Sequence, residues 1–132
     1  METIFTKIIK GEIPCFKIAE DDLFFAFLDI APLSKGHTLV VPKQQIDYIF
    51  DLENEQLAKM IIFAKKIAKA IQKNVTCKRI GMAVVGLEVP HTHIHLVPIN
   101  QVDDMNFAKP TLKLTQEELQ ELATKIANTV EL

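Results

Sequence analysis

Three of the four histidines in this 132-residue chain fall within five positions, in the stretch His91-Thr92-His93-Ile94-His95-Leu96-Val97-Pro98. A spacing of two matches the side-chain period of a β-strand. The three imidazoles are therefore expected on one face, with Ile94 and Val97 among the apolar residues that embed the segment. Three imidazoles are costly to bury and unnecessary for packing, so such a row points to the handling of a metal, a proton or a phosphate. The metal reading is the weaker one. A zinc–nitrogen bond is about 2.0–2.1 Å, whereas His91 and His95 stand roughly 13 Å apart along an extended backbone. One ion could hold two neighbours of the row but hardly all three, and His37, Cys15 and Cys77 are scattered in sequence. The phosphate reading gives each histidine a task. One neutral imidazole attacks phosphorus, a second donates a hydrogen bond to the phosphoryl oxygens, and a third orients the first.

Other hydrolytic and phosphate-binding motifs are missing. There is no G-x-S-x-G or cysteine elbow. Gly81 and Gly86 have the gap of a phosphate-binding loop, but Leu87-Glu88 follows where Lys-Ser/Thr is required.

The elements that must position the row can be read from periodicity and punctuation. Apolar residues at 4, 5, 8 and 9 predict a short helix over 3–10, stopped by Gly11. An extended piece follows from Cys15 to Ala19, then a polar turn at 20–22. Leu23-Phe24-Phe25-Ala26-Phe27-Leu28 is a continuous apolar run, as expected of a buried strand. A loop at 31–36 leads to a strand at 37–41. Asp51 or Asn54 can cap a long helix to about Asn74, with Leu57, Ile61, Ala64, Ile67, Ala68 and Ile71 as its inner stripe and its lysines mostly outside. Strands are expected at 79–85 and 92–99. Thr115-Gln116-Glu117-Glu118 is a capping box that opens a final helix to about Val130. Strands in adjacent pairs argue for an α+β fold: a five-stranded, mainly antiparallel sheet with helices on one face, in one domain over 1–132. Such a sheet has two edges, and an exposed edge is often satisfied by a second copy of the chain.

Composition narrows the function classes. A formal net charge of −2 gives no global field toward nucleic acid or acidic membranes. The N-terminus lacks a signal-peptide layout, and no apolar run approaches the ~20 residues of a membrane span. Two cysteines are too few for a disulfide framework, as expected of reduced thiols in a cytoplasmic protein.

The signature His-x-His-x-His followed by Leu96-Val97 resembles that of the histidine triad (HIT) family. The resemblance extends to Ile4–Pro14, to Phe25-Ala26-Phe27-Leu28-Asp29-Ile30 with Pro32, and to Gly36-His37-Thr38-Leu39-Val40-Val41-Pro42-Lys43. It is nearest to the Hint-like branch, small homodimers that bind purine nucleotides. The resemblance implies that His93 attacks the α-phosphate to give a nucleotidyl-histidine, that His95 contacts phosphate oxygens, and that His91 supports the site. It further implies a ribose-binding carboxylate at Asp29 and an apolar wall of Phe5, Ile8, Phe27 and Ile30 around the purine. Gly86 matches a glycine that brings backbone amides to the phosphate, and His37 a histidine near the triad. No cofactor is implied. The expected substrate is an AMP–amine phosphoramidate; the alternatives are a dinucleoside polyphosphate or, in a non-catalytic module, a nucleotide that is only bound.

The sequence also departs from the family pattern. Many bacterial relatives carry Cys-x-x-Cys where Thr3 and Thr6 stand, and bind zinc together with histidines equivalent to His37 and His91. Hydroxyls do not replace thiolates, so no structural zinc is expected. Ile80 stands where asparagine is common, and Leu87-Glu88 where glutamine and a small hydroxyl residue are common. Leu87 cannot donate a hydrogen bond, and an ionised Glu88 would repel an anion. Glu88 either points away, is protonated and donates, or marks a shifted substrate preference.

Overall fold

The computed structural model describes all 132 residues. A short helix α1 (Ile4–Ile9) leads into β1 (Lys17–Glu20), β2 (Phe24–Leu28) and β3 (Thr38–Pro42). A single 3-10 turn (Ile49–Asp51) precedes the long helix α2 (Asn54–Asn74), followed by β4 (Arg79–Ala83) and β5 (Ile94–Ile99). A second 3-10 turn (Val102–Met105) and α3 (Gln116–Ala127) complete the chain. The five strands form one antiparallel sheet in the order β1-β2-β3-β5-β4. The expected α+β class is therefore observed.

Both faces of the sheet are covered. All five residues of β2 are buried. Phe24, Ala26 and Leu28 join Val40, Ile94 and Leu96 under α2 and α3, with Met60, Phe63, Ile67, Ile71, Leu122 and Ile126. The alternate residues Phe25 and Phe27 join Leu39 and Val41 under Phe5 and Ile8 of α1. The expectation of helices on one face alone is thus corrected: α1 covers the other, which is why β2 reads as a continuous apolar run. Each large side chain fully buried here contributes about 1.5–3 kcal/mol relative to exposure.

The element ends show where local signals won and lost. Thr115 and Glu118 form the expected capping box at α3. At α2 neither Asp51 nor Asn54 is the cap; Glu53 takes the position without a side-chain hydrogen bond, because Asp51 is spent in the preceding 3-10 turn. The buried stripe of α2 is Met60, Phe63, Ala64, Ile67, Ala70 and Ile71. Ile61, expected inside, is 41% exposed and faces an apolar surface hollow with Tyr48, Phe50 and Leu57. Ladder pairing on β5 starts only at Ile94, so His91 and His93 precede the strand expected from residue 92. The backbone N–H of Thr92 donates instead to Ile46 O, at 2.7 Å, and that of His91 to Val89 O, at 2.8 Å. No helix is long and apolar enough to cross a membrane. Cys15 and Cys77 are free and half-buried.

Candidate active site

The three central strands, β2, β3 and β5, place one acid and two histidines at the same end of the sheet. Asp29 follows β2 and His37 precedes β3, and the N–H of Asp29 donates to the His37 carbonyl at 3.0 Å. Gly36 makes this corner possible. Its φ is +99°, and a Cβ there would lie 3.0 Å from a Val75 methyl and 3.1 Å from the Pro98 ring. On β5, His95 pairs with Leu39. Paired residues share a face, so His95 emerges on the α1 side.

The imidazoles and Phe5 form a continuous row. The Phe5 ring lies edge-on to His91 at 5.7 Å and to His93 at 5.0 Å. His93 lies 4.9 Å from His95, and His95 5.2 Å from His37. The expected one-faced row is present, with His37 as an added fourth member.

Hydrogen bonds fix the tautomer of each ring, because a carbonyl can only accept and a backbone N–H only donate. His93 Nδ1 is 2.7 Å from the His91 carbonyl, so Nδ1 carries the proton and Nε2 of the neutral ring keeps its lone pair. The Leu33 N–H donates to His37 Nδ1 at 3.0 Å, so the proton of His37 is on Nε2. From there it is donated to His95 Nδ1 at 2.9 Å, which leaves the His95 proton on Nε2. His91 donates from Nε2 to the Pro42 carbonyl at 2.8 Å and accepts at Nδ1 from the Thr3 hydroxyl at 2.8 Å. His93 with a bare Nε2 and His95 with an Nε2–H are therefore neighbouring rings, their centroids 4.9 Å apart.

Burial keeps the supporting rings uncharged. Desolvation, helped by the nearby His93, lowers the His37 pKa to about 4. Desolvation together with His37 and His93 lowers that of His95 to about 3. His91 is also lowered, mainly by burial, against its bond to Pro42. Burial raises Asp29, opposed by the Ala31 N–H and His93. Asp29 Oδ2 lies 3.6 Å from His37 Nε2, but with His37 neutral this is no ion pair.

These histidines make stability depend on pH. The unfolded imidazoles titrate near 6.5, whereas His37 and His95 resist protonation in the fold. Below about pH 6.5 the unfolded state binds more protons, so stability falls as pH drops toward 4 for His37 and 3 for His95. The raised pKa of Asp29 works in the opposite direction within the carboxylate range. Calorimetry is expected to show Tm falling between pH 7 and pH 5, with a shallower fall in His37→Leu. Equal slopes would contradict buried neutral imidazoles.

A cavity of about 390 Å³ opens over His93, His95 and His37 but not over the fully buried His91, and its lining includes Asp29, Leu33, Val85, Gly86, Glu88 and Phe107. Gly86 turns the lining loop with φ +73°. Glu88 is exposed at the lining, and Leu87 beside it is 88% exposed. Phe5, Ile8 and Phe27 pack behind the row in the α1-side core, while Ile30 is 70% exposed. Phe107 stacks edge-on to His95 at 4.7 Å. Sequence reasoning missed it; its only signal was a lone aromatic in the irregular stretch after the triad strand.

His37 and His91, the positions matched to zinc-binding histidines of relatives, have separate hydrogen-bond partners in this chain. His37 bonds His95, and the partners of His91 are Thr3, Thr6 and Pro42. Thr6 in turn bonds Gln45, so an imidazole sharing an ion with His91 would have to stand near Gln45.

A model of the family described as HIT domain matches residues 10–102. The chain belongs to the HIT family. Among its HIT relatives, the adenosine 5'-monophosphoramidase hnt1 of Schizosaccharomyces pombe is 37% identical over 132 residues, covering 98% of this chain and 99% of the relative. A HIT-like protein of Bartonella henselae superposes with a TM-score of 0.84 at 33% identity, covering 98% of this chain and 96% of the other. A zinc-bound histidine triad protein of Mycobacterium smegmatis does so with 0.79 at 27% identity, over 98% and 93%.

The metal of that last HIT protein does not fit the residues here. Both nitrogens of His91 are engaged, and its neighbours offer hydroxyl and amide oxygens rather than thiolates. Asp29, His37 and His95 have ligand atoms within 4.8 Å of one another. The Leu33 N–H nevertheless holds the His37 proton on Nε2, the atom that would have to be bare.

Proposed function

We propose that the protein hydrolyses purine nucleoside phosphoramidates of the AMP–amine type through a covalent nucleotidyl-His93 intermediate. The observation that carries this reading is the tautomer pair in the cavity: a lone pair on His93 Nε2 and an N–H on Nε2 of the neighbouring His95 ring. The phosphoramidase activity named for the fission-yeast relative supports the same substrate class.

In the first step the His93 lone pair attacks the α-phosphorus and the P–N bond breaks. The amine leaves with a proton from solvent, and His93 becomes an N-phosphorylated imidazolium. Its Nδ1–H already points at the His91 carbonyl, which stabilises the positive charge that develops on the ring. The His95 N–H donates to a phosphoryl oxygen. In the second step water attacks phosphorus, His93 departs as neutral imidazole, and a proton returns to solvent. One oxygen of Asp29 is tied to the Ala31 N–H at 2.9 Å; the other is left to accept from ribose hydroxyls. Exposed Ile30 next to Asp29 offers apolar surface to the base, Phe5, Ile8 and Phe27 back the row from the core, Gly86 shapes the phosphate side, and Glu88 at the lining disfavours polyphosphate leaving groups.

The test is AMP release from an AMP phosphoramidate, compared with dinucleoside polyphosphates and with 2′-deoxy substrates. Faster release from the phosphoramidate is expected. Asp29→Ala is expected to lower kcat/KM on the order of tenfold and to erase the preference for ribose. Binding without release would favour a non-catalytic nucleotide module.

The reading includes one HIT-like domain over 1–132 that acts in the cytoplasm, consistent with its two free thiols. It also includes a homodimer. Edge strand β4 and the adjoining hollow carry exposed Met82, Val84, Val85, Ile61, Tyr48 and Phe50, an apolar surface suited to a second copy. A monomer mass by light scattering would contradict it.

A further inference from the structure

Beneath the histidine row, at the start of α1, lies a polar cluster that the proposed reaction does not use directly. The Thr3 hydroxyl accepts from the Thr6 N–H at 3.2 Å, capping the helix, and donates to His91 Nδ1 at 2.8 Å. The Thr6 hydroxyl donates to Gln45 Oε1 at 2.6 Å, and the Thr3 N–H reaches the same oxygen at 3.0 Å. Gln45 Nε2 donates to the Met1 carbonyl at 2.7 Å, which fixes the amide orientation. Thr3 and His91 are 8% and 0% exposed, so their bond is not open to competition from water.

Of the four side-chain atoms in the cluster, the two threonine hydroxyls and His91 Nδ1 are mutually as close as the ligands of one ion, and Gln45 Oε1 adjoins Thr6. Thr3 and Thr6 hydroxyls are 3.3 Å apart, and Thr6 Oγ1 is 3.5 Å from His91 Nδ1. Tetrahedral ligands at zinc bond lengths stand about 3.3–3.8 Å apart. Here every one of the four has a hydrogen-bond partner within the cluster and nothing is left to hold a metal. We infer that Thr3, Thr6 and Gln45 form a metal-free clasp that fixes His91 and, through the His91 carbonyl, positions His93. The chain of contact is short: Thr3 and Pro42 pin the His91 ring from both ends, and the carbonyl of the same residue holds His93 Nδ1. Thr3 is a positioning residue, since it touches neither cavity nor phosphate. This inference rests on the proposed role of His93, but its tests include readouts that need no substrate.

The first test is nitrogen NMR of the histidine rings, with turnover measured alongside. In the wild type, His91 and His93 are expected as single, opposite tautomers, protonated at Nε2 and Nδ1 respectively. Thr3→Val is expected to change the His91 signals, to mix the His93 tautomers and to lower kcat on the order of tenfold with KM little changed. Thr3→Ser, which keeps the hydroxyl, is expected to restore both. A folded Thr3→Val with wild-type His93 signals would overturn the inference even if the enzyme proved inactive on every phosphoramidate. The second test is metal content. The wild type is expected to contain no stoichiometric zinc and to keep its activity in chelator. The triple variant Thr3→Cys, Thr6→Cys, Gln45→His is expected to take up one equivalent. Stoichiometric zinc in the wild type, lost in Thr3→Val, would overturn the inference, as would a folded triple variant that binds none.

Discussion

His93→Ala is expected to lower turnover of an AMP phosphoramidate by about 10⁴-fold or more. KM should change little, because base, ribose and phosphate contacts belong to other residues. The size of the effect follows from what the side chain provides. His93 presents a lone pair at Nε2 only because its other nitrogen is held to the His91 carbonyl at 2.7 Å. Water in the emptied site would have to attack without a covalent intermediate to divide the barrier. Ring packing against Phe5 and His95 is also lost, so the melting temperature of the variant must be checked beside its rate. A folded His93→Ala protein with wild-type turnover would remove the nucleophile from the account.

The second large effect is expected at His37, which does not need to touch the phosphate. His37→Leu keeps the volume but removes the link from the Leu33 N–H to His95 Nδ1. His95 is then free to carry its proton on the wrong nitrogen and present a lone pair, rather than an N–H, to the phosphoryl oxygen. Loss of one such donor costs about 10²–10³-fold in turnover. The discriminating measurement is a double-mutant cycle. If His37 acts through His95, then His37→Leu costs little once His95 is already leucine. Additive losses would show that His37 acts on the substrate by itself.

Much of this site was legible in the sequence, for reasons that differ by residue. The triad is local: alternation of His91, His93 and His95 beside apolar neighbours announces a one-faced row whatever the rest of the chain does. The burial of β2 was equally local, since an apolar run with no polar alternation must be covered on both sides. The supporting contacts were not local. His37 and His95 stand 58 positions apart, and their hydrogen bond depends on the pairing of Thr38 with Leu96. No motif signals that pairing. The same holds for Gln45, which meets Thr3 and Thr6 only because α1 folds back over the sheet. Phe107 reaches the cavity because its segment is tied to the β2–β3 loop, by the Leu112 N–H on the Pro32 carbonyl at 2.8 Å. Ile61 shows the reverse error. Its helical spacing fits the buried stripe, but tertiary packing turned α2 toward Met60 and Phe63.

The central claim is that phosphorus changes partners twice, first to His93 and then to water. Each in-line displacement inverts the configuration at phosphorus, so two restore it. The most direct measurement is the stereochemical course of hydrolysis of an AMP phosphoramidate made chiral at phosphorus by sulfur substitution, with the product configuration read after attack by isotopically labelled water. Retention is the predicted result. Inversion would mean a single attack by water and would contradict a covalent role for His93.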